Sequence, residues 1–288
     1  MKQRTLQTTY VFKGNGLHCG KKVSVALCPA PENHGIVFQR VDIRNQPCVK
    51  ASADNVYRTR RSTTLKSGRA KVGMVEHLLA ALYALGVDNV LVQVNGPELP
   101  ILDGSAYPYV SEITPATIVE QAAERRQIEI REKFEYHDAA TGSYVIYEPS
   151  EESSMEVTID FNSKVIGIQK ALYSESVDFS TGVAPARTFC FANEVRKLKF
   201  FGLIKGGSLD NAIVIDEPYG YHKGTALRFD DECARHKLLD FIGDTALAGC
   251  HIKGRITAYK PGHKINTEAV SALMNSNIWT DSFTPTQR

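Results

Sequence analysis

Three ionisable side chains share one side of the segment "RHKLLDFIGD", residues 235–244. Apolar residues recur there at the spacing of a helix face, at positions 238, 239, 241 and 242. At 3.6 residues per turn, His236, Asp240 and Asp244 fall within an arc of about 80° on the other side. An imidazole in line with two carboxylates is either a solvated helix face with a local ion pair or half of a metal site.

A second predicted helix, "VEHLLAALYALG", opens with Glu76 and His77 and closes at Gly86. A lone histidine at a helix start is commonly a cap or a surface group. Together with His236 and Asp240, however, His77 would complete two imidazoles and one carboxylate, the ligand set of hydrolytic zinc with one position left for water. Glu76 would then lie beside the ligands and could accept a proton from that water. This interpretation requires the two helices to face each other.

The same order of elements occurs in both halves of the chain. Alternating segments such as "KKVSVALC", "GIVFQRVDI" and "NVLVQV" predict strands in the first half, and "RQIEIREKFEYH", "SYVIYEP", "MEVTIDF", "NAIVID" and "RITAYK" predict strands in the second. Each half places a histidine at the start of an amphipathic helix that a strand follows. We therefore predict an α+β fold from a duplicated sheet-plus-helices unit, with domains 1–122 and 123–288. The polar segment 115–126 is ill-suited to a core strand and marks the boundary.

Composition excludes several classes of protein. Of 288 residues, 43% are hydrophobic, and 34 basic against 32 acidic residues leave a net charge of +2, which argues against nucleic-acid binding. The longest uncharged apolar run, residues 78–87, is too short to span a bilayer, and the N-terminus lacks the apolar core of a signal peptide. We therefore expect a cytoplasmic protein. Its six cysteines form no C-x-x-C pair, so a metal must use other ligands.

These residues resemble the UDP-3-O-acyl-N-acetylglucosamine deacetylases, zinc enzymes of lipid A biosynthesis. The resemblance runs through "GLHCGKK", "VEHLLAAL", "DNVLVQVNGPELPILDGSA", "ARTFCF", "GLIKGGSLDNAIV", "LRFDDECARHKLLDFIGD" and "YKPGHKIN" and covers nearly the whole chain. It implies two similar α+β domains with the helices packed between two sheets and the active site at the domain interface. It also implies zinc as cofactor, with Fe²⁺ as an alternative in the cell, and a UDP-linked acylated amino sugar as substrate.

The resemblance also implies residue roles. His77, His236 and Asp240 would be the metal ligands, and Glu76 the general base. Asp244 would orient His263, which would serve as electrostatic partner or general acid, and Thr188 would face the oxyanion.

Substrate contacts follow from the same resemblance. An insert near residues 189–209 would form a passage for the acyl chain, with Phe189, Phe191 and Leu203 as lining. The remaining proposed contacts are Lys237 and Lys260 to the diphosphate, Phe161 with Asp160 and Asn162 at the uridine, and His18 near the site. Each of them is alternatively an ordinary core or surface residue.

Two other functions fit the same residues. A zinc amidase for another acylated amine would share the site without the nucleotide pocket. A catalytically silent, metal-stabilised scaffold would need no base, and Glu76 argues against it. We expect a monomer that does not span a membrane.

Overall fold

The computed structural model describes residues 1–222 and 225–281. Its α-helices are α1 (Glu76–Leu85), α2 (Tyr107–Glu112), α3 (Phe179–Gly182), α4 (Ala192–Phe200), α5 (Glu232–Thr245) and α6 (His263–Met274). Short 3₁₀ helices occur at Ala53–Asn55, Pro115–Thr117 and Ala246–Ala248. Within the described ranges, no helix combines the length and apolar character needed to cross a membrane.

The strands fall into two long groups along the chain. The first group is β1 (Lys2–Leu6), β2 (Tyr10–Asn15), β3 (Lys22–Pro29), β4 (Ile36–Arg40), β5 (Cys48–Lys50), β6 (Val56–Arg58), β7 (Thr64–Ser67), β8 (Ala70–Gly73) and β9 (Val90–Val94). The second group is β10 (Ile118–Glu124), β11 (Gln127–Ile130), β12 (Phe134–Asp138), β13 (Ser143–Glu148), β14 (Ser154–Asp160), β15 (Ile168–Ser174), β16 (Phe189–Phe191), β17 (Ile213–Asp216), β18 (Gly220–Tyr221), β19 (His251–Lys253), β20 (Arg255–Tyr259) and β21 (Trp279–Asp281).

Two five-stranded sheets have the same topology. Their strand orders are β2-β3-β9-β4-β5 and β12-β13-β20-β14-β15. In each sheet the last strand in sequence takes the central position, runs parallel to one neighbour, and is antiparallel to the other. Because both units repeat one arrangement of strands, the predicted duplication of an α+β unit is confirmed.

Helices α1 and α5 lie between these two sheets. They pack against each other, α5 also rests on β14 and β15, and α6 rests on β12 and β13. The buried residues of α1 belong to the same hydrophobic cluster as the inward residues of β3 and β9. The two sheets thus present their helices to each other, as predicted, and the start of α1 meets α5 along residues 236–244.

A glycine permits the close crossing of α1 and α5. A Cβ atom on Gly243 would lie 2.0 Å from the backbone oxygen of Glu76, a distance that no side chain could accept. Gly86 closes α1 in the left-handed conformation, with φ +67°, so the predicted helix end is confirmed. The crossing sets the positions of the ionisable residues on both helices.

The polar segment 115–126 forms a strand, although not one of the core. Residues Ile118–Glu124 are β10, which pairs antiparallel with β1 in a two-stranded sheet and is largely exposed or half-buried. The predicted boundary between residues 122 and 123 falls inside this strand. The exact domain division stays a prediction.

Candidate metal centre and active site

His77, His236 and Asp240 come together where α1 crosses α5. The Nε2 atoms of His77 and His236 each lie 3.5 Å from Asp240 Oδ1, and all three ligand atoms lie within 4.8 Å of one another. Metal–ligand distances of about 2.0–2.2 Å in a tetrahedral zinc site put neighbouring ligand atoms roughly 3.3–3.5 Å apart. All three side chains are buried. The spacing therefore fits a single metal ion.

The protonation states of these side chains also fit a cation. His236 Nδ1 lies 3.0 Å from the backbone oxygen of Ala186, which can only accept, so this nitrogen carries the proton and Nε2 offers its lone pair. Burial lowers the pKa of His236 to about 4, which keeps the ring neutral. Burial would raise the pKa of Asp240, but the charges of Lys237 and nearby histidines outweigh it and hold that pKa well below its usual range. The cluster thus offers a carboxylate and a neutral imidazole to the ion.

Glu76, His263 and Asp244 form an acid–base group beside the cluster. His263 Nδ1 donates to Asp244 Oδ2 at 2.9 Å, and His263 Nε2 lies 3.8 Å from Glu76 Oε1. Burial alone would lower the pKa of His263, but Asp244 and Asp240 outweigh it and raise the pKa to about 9. Burial raises the pKa of Glu76, and the nearby His263 and His77 oppose that rise. An imidazole whose pKa is raised and a buried carboxyl group therefore lie side by side at the edge of the cluster.

Thr63 and Asn266 hold these carboxylates, and neither position could be recognised from residue type or spacing. The Thr63 N–H donates to Glu76 Oε2 at 3.0 Å, and its hydroxyl donates to Asp244 Oδ1 at 2.5 Å. Asn266 Nδ2 donates to Asp244 Oδ2 at 2.9 Å. Thr63 has no exposed surface. It connects a loop of the first half to a carboxylate on α5, a contact that no local spacing could reveal.

The predicted uridine contacts and the predicted diphosphate contact Lys260 lie together at the ends of β14 and β20. Lys260 Nζ pairs with Asp160 Oδ2 at 3.2 Å, and the Asn162 N–H donates to Asp160 Oδ1 at 3.1 Å. Phe161 follows β14 and is 40% exposed, so it is available to stack on a planar ligand. Since Lys260 is already paired with Asp160, its charge is partly neutralised.

Phe189 connects this region to the metal cluster. Its ring meets Phe161 edge-on with centroids 5.4 Å apart, and meets His236 with centroids 6.3 Å apart. The Lys237 ammonium lies 5.7 Å from the Phe189 ring centre and 2.7 Å from Asp240 Oδ2. Lys237 is thus held at the cluster by a carboxylate.

A cavity of about 210 Å³ lies next to the cluster, between a loop of the first half and the α4 segment. Its lining includes His18, Thr188 and Phe189, together with Val195, Leu198 and Ile204. Of the other predicted lining residues, Phe191 packs against Phe161 with centroids 6.1 Å apart, and Leu203 lies outside this lining. Thr188 is fixed through its backbone, which donates to Gly104 O at 2.8 Å.

The loop that carries His18 is organised by Glu98, a residue that sequence reasoning missed. Glu98 Oε1 accepts the N–H groups of His18 at 3.0 Å and Cys19 at 2.7 Å, and only 5% of Glu98 is exposed. His18 Nδ1 is buried and has no hydrogen-bond partner within the described part of the chain. His18 thus lines the cavity with a ring that carries an unsatisfied nitrogen.

The fold and the site together define a class: a duplicated α+β protein with a buried His-His-Asp cluster between its two units. Comparison with known proteins adds the family. The family model for LpxC, UDP-3-O-acyl N-acetylglycosamine deacetylase, matches residues 3–275. This chain belongs to that family.

Curated relatives agree with this family. A bifunctional enzyme LpxC/FabZ of Bacteroides thetaiotaomicron is 46% identical over 93% of this chain, and one of Porphyromonas gingivalis is also 46% identical over 93%. This chain spans 63% of the length of each of these two relatives. A UDP-3-O-acyl-N-acetylglucosamine deacetylase of Myxococcus xanthus is 42% identical, over 95% of this chain and 86% of the relative.

Proposed function

We propose that this protein hydrolyses the N-acetyl group of UDP-3-O-(3-hydroxyacyl)-N-acetylglucosamine, releasing acetate and UDP-3-O-acyl-glucosamine, in lipid A biosynthesis. The observation that carries this proposal is the position of Glu76 and the His263–Asp244 pair beside His77, His236 and Asp240. A purely structural metal site would close its coordination with protein ligands and would need no acid–base pair. Family membership supplies the substrate class.

His77, His236 and Asp240 would hold the ion, with zinc as the proposed metal and Fe²⁺ as the alternative. An ion held there would supply a Lewis acid, which would lower the pKa of bound water to about 7 and polarise the amide carbonyl. Glu76 Oε1 accepts the proton of the attacking water, and its other oxygen stays fixed by the Thr63 N–H.

His263 faces this reaction as an imidazolium. Its Nδ1 proton is committed to Asp244, so Nε2 points toward Glu76 and the metal site, where it stabilises the oxyanion and donates a proton to the departing amine. The Thr188 hydroxyl is the proposed further donor to the oxyanion. Glu76 and His263 together cover both proton transfers that amide hydrolysis requires.

Two surfaces would hold the rest of the substrate. Phe161, with Asp160 and Asn162, would take the uracil ring and ribose, while Lys237 and Lys260 would contact the diphosphate. The acyl chain would occupy the cavity between His18 and α4 within the 189–209 insert. We further propose that the protein acts in the cytoplasm, as a monomer, and binds no nucleic acid.

Metal content and acetate release, measured on matched variants, test these roles. We expect Asp240→Ala to lose most of its bound metal and Glu76→Ala to retain it, because only Asp240 is a proposed ligand. Both variants should lose deacetylation. A metal-free Glu76→Ala protein, or full metal content in Asp240→Ala, would contradict the assignment.

Substrate analogues test the remaining contacts. Each buried methylene adds roughly 0.8 kcal/mol, so UDP-N-acetylglucosamine without the acyl chain should be a poor substrate. Equal kcat/KM for the acylated and non-acylated compounds would contradict binding of the acyl chain in the proposed passage. Comparable deacetylation of N-acetylglucosamine without UDP would favour a general amidase instead.

A further inference from the structure

Helix α4 ends in an exposed segment of aromatic and basic residues, which we call the tip (residues 197–205). The tip contains Phe200, Phe201 and lysines at positions 197, 199 and 205, and no acidic residue. Phe200 is 85% exposed and Phe201 is 67% exposed, and all three lysines are exposed. Paired aromatic rings on a surface mark a site that another apolar surface covers.

The backbone fixes the tip in this exposed position. Gly202 adopts φ +68°, its N–H donates to Lys199 O at 3.0 Å, and the Leu203 N–H donates to Leu198 O at 2.9 Å. These are the two hydrogen bonds of a Schellman motif. Just beyond the tip, the Gly206 N–H donates to Leu17 O at 3.0 Å, which ties the chain to the first half. The two rings are therefore presented by an ordered helix end.

Packing inside the protein does not require the two rings. Val195 and Leu198 face the cavity from the inner side of α4, and Leu198 is only 5% exposed. Phe200 and Phe201 contact each other, with centroids 5.5 Å apart, on the outer side. Lysines near a helix C-terminus stabilise the helix dipole, which accounts for part of the charge but not for the rings.

The positive charge of the tip is available to a ligand. Glu194, the acidic residue that precedes the tip, pairs with Arg61 at 2.8 Å. Asp210, which follows the tip, accepts a hydrogen bond from Ser208 Oγ at 3.3 Å. The tip is thus flanked by acidic side chains that already have partners, and it presents three lysines around two rings.

We propose that the tip docks on the surface of an anionic lipid bilayer. Aromatic rings insert at the boundary between headgroups and acyl chains, and lysines around them bind anionic headgroups. Protein–protein interfaces are enriched in aromatic residues but depleted of lysine, so the three lysines favour lipid over a protein partner. The exposed rings and lysines of the tip support this proposal independently of any enzymatic activity.

The position of the tip also relates docking to the cavity. Lys199 belongs to the tip and also lines the cavity, so a bilayer in contact with the tip would lie next to the passage. This relation rests on the proposed function, because only an acylated substrate would benefit from it.

Sedimentation with lipid vesicles tests the docking without any substrate. We expect the full chain to sediment with vesicles of phosphatidylcholine mixed with phosphatidylglycerol, and to sediment much less with phosphatidylcholine alone. Each lysine replaced by glutamine should weaken binding about fivefold, and added salt should weaken it further. The double variant Phe200→Ser, Phe201→Ser should lose binding while its thermal unfolding remains that of the parent.

Tyr57 provides a matched control elsewhere on the surface. It is 55% exposed, and Lys66 and Lys71 lie 4.6 Å and 5.2 Å from its ring centre. Tyr57→Ser should leave vesicle binding unchanged. The proposal is overturned if the parent does not bind anionic vesicles or if the tip and Tyr57 variants bind equally. It is also overturned if the phenylalanine variant loses self-association instead, as measured by light scattering. Deacetylation is assayed separately, so its loss would not be confused with loss of docking.

Discussion

Substituting Gly243 by alanine tests whether the crossing of α1 and α5 sets the catalytic geometry. The added Cβ would lie 2.0 Å from Glu76 O, 2.8 Å from Glu76 C and 3.0 Å from Glu76 Cα. All three are backbone atoms, so no side chain can rotate away. Reaching even a 3.0 Å contact requires the helices to separate by about 1 Å.

Two opposing effects determine how Gly243→Ala changes the free energy of unfolding. Alanine in a helix interior is favoured over glycine by about 1 kcal/mol, whereas overpacking of a core costs about 1–3 kcal/mol. We therefore expect unchanged or moderately reduced stability. Activity should fall much further, by about 100-fold, because a 1 Å displacement moves Glu76 and His77 away from the groups on α5.

The assay is kcat for acetate release together with thermal unfolding and metal content. Gly182→Ala serves as control, because its added methyl group meets side chains and no backbone, Val177 at 2.9 Å and Arg235 at 4.0 Å. A Gly243→Ala protein with the parent's kcat would refute the reasoning. It would show that the helices can separate without disturbing the site.

Two further predictions concern buried polar groups. Thr63→Val should lower kcat by about 10- to 100-fold, because a hydrogen bond to a charged group contributes about 1.5–3 kcal/mol. Thr63→Ser keeps the hydroxyl and should retain activity. Equal loss of kcat in both variants would contradict a role for the hydroxyl. Burial lowers the pKa of His251, which stacks on Tyr83, to about 3, so the ring stays neutral in the folded protein while the unfolded chain binds a proton below about pH 6.5. The free energy of unfolding should therefore fall as the pH decreases from 6.5 toward 3, by at most about 1.4 kcal/mol per pH unit for this group. When this free energy is measured by urea titration at several pH values, it should change less steeply with pH in His251→Gln than in the parent. Identical slopes for the two proteins would contradict the assignment.

The elements that position the site could be predicted because their patterns are local. The alternation of apolar and polar residues predicted the central strands, and the apolar stripe predicted α5 with its ionisable side. The isolated sequence "PGH" would suggest a turn, yet His263 is the first residue of α6, with Gly262 as its N-cap. The resemblance to a family, and not spacing, pointed to this histidine.

Other features depend on contacts between distant segments. Thr63 reaches Asp244 across 181 positions of the chain, and Glu98 accepts the His18 N–H across 80. Neither residue type nor spacing distinguishes them from ordinary loop residues. The edge strand β10 is hidden for a related reason, since its polar residues lack the alternation of a strand with one buried face.

The duplicated sheets have a consequence for how the chemical groups are distributed. Two separate identical copies related by a twofold axis would have to present the same side chains from both crossing helices. In one continuous chain, α1 carries Glu76 and His77 while α5 carries His236 and Asp240. A substitution on one helix therefore changes one side of the site alone. The duplicated fold therefore allows the two crossing helices to carry different catalytic residues, which a symmetric dimer could not do.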